Sequence, residues 1–392
     1  MHPQAVSAAA STRAASSNGF LRRAGQEEDW DAVQAKSKLL GASKMVILDL
    51  RREFVEELCF RAVHLLGTSL ARPVIARAQM KVAKQEGCQY VSHGCTGKGN
   101  DQVRFELAFL TIDPTIKIIA PWRMPEFFNR FQGRLDLLDY ASSTGIPVTS
   151  TKAKPYSMDD NLAHCSYESG QLEDPSQPPP TDMWTRTDDP EKAPNTPQDI
   201  QIVFAKGLPV KLSVDGKDYT DSVELFLKAN EIGKIHGIGR IDIVENRFIG
   251  LKSRGCYDSP GMTILRLAHL DLEGLVMDGK VRSLRDQFVT HNWSELLYNG
   301  MYFSPEREFV ENSLLFSQKH VNGEVRLRCY KGNAYVLGRS SDAKLYSLEE
   351  SSMDTLVDFS PVDTSGFINI NAIRLKKYGL QKAEDGEDLA LS

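Results

Sequence analysis

The stretch "HGCTGKGNDQVRFE", His93–Glu106, gathers residue types that can hold small charged molecules. Gly94, Cys95, Thr96, Gly97, Lys98, Gly99 and Asn100 make a small polar loop, and Asp101 and Arg104 follow directly. A loop that leaves a strand and opens a helix presents backbone N–H groups and the positive end of the helix dipole, and both favour an anion. Glycine lets the main chain approach such a ligand closely. The spacing G-x-x-G-K-G is not that of a Walker loop, because no Ser or Thr follows Lys98 to hold magnesium, and the G-x-G-x-x-G pattern is missing as well. Asp101 can hold an amino group, Arg104 can grip a carboxylate through two parallel charge-assisted bonds, and Asn100 can donate and accept at once. Together they suit a zwitterionic amino acid beside a phosphate. A plain turn and a solvated helix face are the alternative readings of the same residues.

The elements around the loop alternate. "EEDWDAVQAKSKLLG" has helical spacing at Trp30, Val33 and Leu40 and ends at Gly41, a suitable C-cap. "KMVILDL" is a short apolar run of the kind found in buried parallel strands. "REFVEELCFRAV" and "SLARPVIARAQMKVAKQEG" read as helices, the second starting near Pro73, since proline is tolerated in a first turn only. "QYVSHG" reads as the strand entering the glycine loop, "NDQVRFELAFL" as the helix leaving it, and "TIKIIAPW" as a further strand. "PEFFNRFQGRLDLLDYASSTG" reads as one helix with Phe127, Phe131, Leu135 and Leu138 on one face, and "IPVTS" as the strand closing the series. This alternation predicts an α/β domain whose parallel sheet is covered on both sides.

Residues 168–200 carry seven prolines between Pro175 and Pro197 and read as an extended crossing. Beyond it, strands and helices mix as in an α+β domain. "QIVFAKGLPVKLSVDGKDYT" predicts two strands joined at Gly207-Leu208, "SVELFLKANEIGKIHG" a helix, and "EVRLRCYKGNAYVLGR" a hairpin with a Gly-Asn turn.

Composition narrows the classes. The chain has 392 residues, a net charge of −5 and no long basic run, which speaks against nucleic acid as a partner. No apolar run approaches the ~20 residues that cross a bilayer. Cys59, Cys88, Cys95, Cys165, Cys256 and Cys329 are scattered without a C-x-x-C pair, so free thiols in a reducing compartment, the cytoplasm, are expected and no metal site is. Residues 1–24 are Ala- and Ser-rich, with three arginines and no acid. They read as a disordered or unrelated tail, a transit peptide being the alternative.

Seven stretches, "LLGTSLARP", "YVSHGCTGKGNDQVRFE", "KIIAPWRMPEF", "PYSMDDNLAHCSYESG", "KAPNTP", "GRIDIVENRFIGLKSRGCYDSPG" and "DTSGFINI", together resemble the argininosuccinate synthase family. The resemblance runs from about Gly25 to about Tyr378. It implies a Rossmann-like nucleotide domain of the ATP-pyrophosphatase type over 25–150, an α+β synthetase domain over 151–365, and a C-terminal helical arm over 366–392 used in homotetramers. It also implies ATP-dependent joining of citrulline to aspartate through citrullyl-AMP, with MgATP as substrate. No covalent nucleophile and no acid–base residue is implied. Ser92, His93, Gly94, Cys95, Thr96, Gly97, Lys98, Gly99 and Asn100 match the family's second ATP contact. Ser69, Asn100, Arg104, Ser157, Ser166, Glu245 and Tyr257 match its citrulline ligands, and Thr96, Asn100 and Asp101 its aspartate ligands.

There are departures from the family. Its main phosphate loop, S-G-G-L-D-T-S, occurs nowhere in these residues. The resemblance implies that this loop comes with the first helix and second strand of the sheet, both expected to be missing. Arg22 aligns where a small residue meets the adenine, and His64 stands where a tyrosine contacts citrulline. A catalytically weak or silent member that still binds the amino acids or joins tetramers is therefore the alternative expectation.

Overall fold

The computed structural model describes residues 18–24, 29–61, 68–97, 99–146, 156–354, 356 and 360–387. The chain divides into two units, Met1–Ala343 and Lys344–Ser392.

The first unit opens with strand β1, Asn18–Arg23, paired in parallel with β2, Lys44–Asp49, across helix α1, Trp30–Leu39. Asp29 caps α1 by accepting from the Ala32 N–H at 3.0 Å, and Gly41 takes the left-handed conformation just beyond its end (φ 85°). Residues 18–23 thus belong to a sheet and not to a tail, and a strand expected to be missing is present. Arg51–Glu53 open a helix whose next turn, Phe54–Cys59, is widened to π geometry and buries Phe54, Val55, Leu58 and Cys59. Helix α2, Ala71–Gln85, follows with Pro73 in its first turn. β3, Tyr90–Ser92, leads into the glycine loop; α3, Asp101–Ile112, leaves it; β4, Lys117–Ile119, pairs with β3 in parallel. The parallel order is the expected one, but among the described residues the strands stand as two separate pairs, β1–β2 and β3–β4.

The single helix expected after β4 is two, Pro125–Phe128 and α4, Arg134–Ser143. Gly133 sits between them in extended backbone, and its N–H donates to the Asp136 carboxylate, which starts a new helix. Phe131 and Leu137 share a small core with Trp122, Phe127 and Tyr140. Residues 147–150 of the strand expected at 146–150 and the 150/151 domain boundary fall outside the described residues, as do His64 and Lys98.

Two antiparallel sheets complete the unit. The first has the order β10 (Arg240–Asn246), β11 (Lys252–Asp258), β6 (Cys165–Glu168), β5 (Ser157–Asp160). The second has the order β13 (Asn333–Ser340), β12 (Gly323–Tyr330), β7 (Gln198–Ala205), β8 (Leu208–Val214), β9 (Lys217–Tyr219). β9 is a strand that the pattern did not predict. Two turns also differ from expectation: Lys206-Gly207 joins β7 to β8, and Lys331-Gly332 joins β12 to β13, with φ positive at both residues of each turn. That is the primed geometry whose twist suits a two-residue hairpin, and glycine supplies its second position. Ile200, Ile202, Phe204, Leu212, Val325, Leu327 and Cys329 alternate inward and meet helices α5, Ser222–Ile235, and α6, Pro260–Val276. Helices α7, His291–Tyr298, and α8, Pro305–Ser317, follow α6. All six cysteines are free thiols.

The second unit carries helix α9, Pro361–Glu384, with Pro361 at its first turn. Phe367, Ile370 and Leu380 on it are each about two-thirds exposed or more (68%, 71% and 66%).

The β10–β11–β6–β5 sheet has one polar and one packed face. On the packed face Asp258 is fully buried, accepting from the Arg186 N–H at 2.8 Å and from the Tyr167 hydroxyl at 3.3 Å. Burial pushes its carboxyl up to about 6, although these bonds and Arg186 oppose the shift. Because the folded value lies above the unfolded 3.8, ionisation is disfavoured in the fold. The penalty is nil below pH ~4 and complete above pH ~6, reaching about 3 kcal/mol. Asp258→Asn should therefore melt higher than the parent at pH 7.5 and lose that advantage at pH 4. A parallel offset at both values would contradict this.

Candidate active site

Register places the site. Ser166 on β6 lies directly opposite Tyr257 on β11 and Asp159 on β5, so the three side chains stand in a row on one face. Strand alternation adds Ser157 beside Asp159 and Glu168 beside Ser166, and Glu245 on β10 lies opposite Ser253, on the same face of β11 as Gly255 and Tyr257. Four residues expected from two motifs, Ser157 and Ser166 from one and Glu245 and Tyr257 from the other, thus share one sheet face.

Tyr257 folds back along its own strand and donates its hydroxyl to Glu245 Oε1. Gly255 makes room for this: a Cβ there would come 2.6 Å from Tyr257 Cε2. Burial first, and the Glu245 carboxylate second, push the phenol far up, so it stays protonated and remains a donor. His164, 6.2 Å from the Tyr257 ring, is pushed down to about 4 by burial, and is neutral at physiological pH. Glu168 pairs with Arg247 at 2.6 Å.

The glycine loop and the head of α3 are fixed from beneath. Ser92 Oγ donates to the Ile119 carbonyl at 2.9 Å, and Gln79 donates to the Ser92 carbonyl at 3.2 Å. Both nitrogens of the buried His93 ring have protein partners: Nε2 meets Glu106 at 2.7 Å and Nδ1 accepts from the Cys95 N–H at 3.3 Å. Gln102 reaches back to the carbonyls of Gly97 and Gly99 at 2.7 and 3.2 Å. The carbonyls of Gly97 and Gly99 are thus engaged by a side chain of α3, and that of Ser92 by one of α2. Thr96 and Gly97 at its tip are exposed.

Asp101 opens α3 between two guanidinium groups. Arg72 Nη2 donates to it at 2.5 Å and Arg104 Nη1 at 3.0 Å. Burial alone would raise the Asp101 carboxyl, but Arg72 and Arg104 outweigh it and hold the group well below the usual carboxylate range. Arg72, only 3% exposed, also donates to Asp159 on β5. One buried arginine therefore joins α2, α3 and the polar sheet. Asn100 is bound to the β10–β11 turn, its Oδ1 accepting from the Phe248 N–H at 2.9 Å. Arg104 is buried, and no protein acceptor takes its Nη2 among the described residues, which suits a carboxylate ligand. Ser69 is buried in a short turn, Thr68–Leu70, that packs on α7.

Arg104 bonds to Asp101 and Tyr257 to Glu245, and Tyr298 at the end of α7 links Arg104, Asn100 and Glu245, with Ser166 and Ser157 on the same sheet face as Tyr257 and Ser69 at the foot of α2. Arg72, Asp159 and Tyr298 were not singled out from the sequence. Asp159 was legible, since it alternates with Ser157 along a strand. Arg72 reads as any arginine in a helix, and Tyr298 gave no local signal beyond the nearby Gly300.

A glycine loop heading a helix beside parallel strands, and facing a polar antiparallel sheet, defines a nucleotide-domain protein with a dedicated second domain. Residues 19–147 match the family profile described as the arginosuccinate synthase N-terminal HUP domain, a Rossmann-like domain of the ATP-pyrophosphatase type, and residues 156–378 match the arginosuccinate synthase C-terminal domain. The chain is 56% identical over 388 residues to a protein of Saccharomyces cerevisiae named argininosuccinate synthase, covering 95% of this chain and 92% of that one. Proteins of the same name from Schizosaccharomyces pombe and Homo sapiens are 54% and 51% identical over 367 and 370 residues, covering 91% and 92% of this chain and 90% of each relative. The chain belongs to the argininosuccinate synthase family.

The Gly255–Tyr257 packing is open to test. Gly255→Ala should lower thermal stability, as overpacking by one methyl costs about 1–3 kcal/mol. Tyr257→Ala in the same chain should recover most of the loss. Equal losses with and without the tyrosine would show that its ring does not lie over that glycine.

Proposed function

We propose that this chain is a ligase that joins citrulline to aspartate with MgATP, forming citrullyl-AMP and releasing pyrophosphate and then AMP. The observation that carries the reading is the Asp101 carboxylate, held ionised between Arg72 and Arg104 at the mouth of a glycine loop and facing the Glu245–Tyr257 pair. In this reading the loop from Ser92 to Asn100, including Lys98, receives the nucleotide phosphates through backbone N–H groups and the dipole of α3. Magnesium enters with the nucleotide as part of the substrate. The free edge of Arg104 binds the citrulline carboxylate. Glu245 accepts from the citrulline N–H groups, and Ser69, Asn100, Ser157, Ser166 and Tyr257 hold its remaining polar atoms. Asp101, permanently charged, binds the aspartate ammonium with Thr96 and Asn100 beside it.

Such chemistry needs alignment and charge stabilisation and no covalent nucleophile. The ureido oxygen attacks the α-phosphorus, pyrophosphate leaves, and the aspartate amine then displaces AMP. The setting we propose is arginine biosynthesis in the cytoplasm, by a homotetramer in which the exposed apolar side chains of α9 meet other subunits.

The test is pyrophosphate release. With citrulline, aspartate and MgATP together, the purified chain should release pyrophosphate, and omission of citrulline should abolish release. Asp101→Asn should raise the KM for aspartate by ten-fold or more, as expected for a lost charge-assisted bond. Release at background, with citrulline still bound, would instead identify a silent amino-acid-binding member of the family.

A further inference from the structure

Tyr298, the last residue of α7, touches three parts of the site at once. Its hydroxyl lies 2.8 Å from the Asn246 carbonyl oxygen and 3.5 Å from Glu245 Oε2, both of which can only accept, so the phenolic proton goes to that side, with the carbonyl the nearer partner. The phenol oxygen is then an acceptor for Asn100 Nδ2 at 3.1 Å. At the other pole of the same carboxamide, the Phe248 N–H, which can only donate, meets Oδ1 at 2.9 Å. Two partners of opposite kind thus set one orientation of the Asn100 amide. The second Nδ2 hydrogen has no acceptor among the described residues.

The same residue holds Arg104. The guanidinium carbon sits 5.0 Å from the centre of the Tyr298 ring, within cation–π reach, and Nε donates to the Tyr298 carbonyl at 2.9 Å. The backbones come this close because residue 300 is glycine in a left-handed conformation (φ 81°), where a Cβ would lie 2.8 Å from Arg104 Cα. With Nε on Tyr298 and Nη1 on Asp101, Nη2 is the part of the fork left for a ligand.

We infer that Tyr298 is a positioning residue of the amino-acid site: its hydroxyl fixes which pole of Asn100 faces the reactants, and its ring and carbonyl fix the edge that Arg104 offers to a carboxylate. The inference rests on the reading of this site as one for citrulline. A tyrosine that only fills space between α3 and β10 would work equally well as phenylalanine. A positioning tyrosine would not, because Tyr298→Phe keeps the ring and the Arg104 stack but leaves the Asn100 amide held at its Oδ1 pole alone, by the Phe248 N–H.

Calorimetry with citrulline alone, on the full chain and without nucleotide, separates the two. Tyr298→Phe should weaken citrulline by about 10-fold, the loss of roughly one hydrogen bond's worth of ordering, with the melting temperature little changed. Asn100→Ala should weaken it as well, and the double variant should bind no worse than Asn100→Ala alone, because the hydroxyl acts through Asn100. Parent-like affinity in Tyr298→Phe, or losses that multiply in the double variant, would overturn the inference. No heat from the parent chain itself would overturn the citrulline reading, and the inference with it. That outcome is distinguishable because every variant would then be silent alike.

Discussion

The site depends on one buried cation shared by two carboxylates. Arg72 enters from the first turn of α2 and binds Asp101 at the head of α3 and Asp159 on β5. Burying a guanidinium carries a large desolvation penalty unless it is paired, and here two carboxylates, both bound through Nη2, offset it, while the buried Nε has no partner among the described residues. The consequence is geometric as well as electrostatic. The glycine loop belongs to the parallel strands and the Glu245–Tyr257 pair to the antiparallel sheet, and Arg72 ties the first to the second through their own carboxylates. Removing one partner would leave an uncompensated charge, so the three groups stand or fall together.

Around that anchor the side chains divide the work. His93, Gln102, Gln79 and Ser92 hold the loop, leaving its tip for a ligand. Asp101 stays ionised because two arginines flank it, and Tyr257 stays protonated because burial and Glu245 disfavour its anion. The charge states of Asp101 and Tyr257 are thus set by the protein alone, and in the reading proposed above this reduces the reorganisation that alignment of the reactants would require.

Much of this was legible in the residues. Apolar runs and helical spacing located β2, α2, β3, α3, β4, α5 and the β12–β13 hairpin, because in each case the local pattern agreed with the final packing. The glycine loop and its neighbours Asn100, Asp101 and Arg104 stood out by type and spacing. Failures came where long-range pairing decided the outcome. Residues 18–23 form a strand because β2 offers them a parallel edge, which composition cannot reveal. Gly133 and Asp136 split a helix that periodicity alone would continue. Arg72 gained its role from contacts 29 and 87 positions away, and Tyr298 from one 198 positions away, beyond any local motif.

The claim that Arg72 couples the two halves is tested most directly by amide hydrogen exchange on Arg72→Met, read locally. If the coupling is real, exchange should quicken by at least about 10-fold both at the start of α3, Asp101–Phe105, and in β5 and β6 around Asp159, since each loses the same charge partner. Faster exchange confined to α2, with α3 and β5 as protected as in the parent, would contradict it.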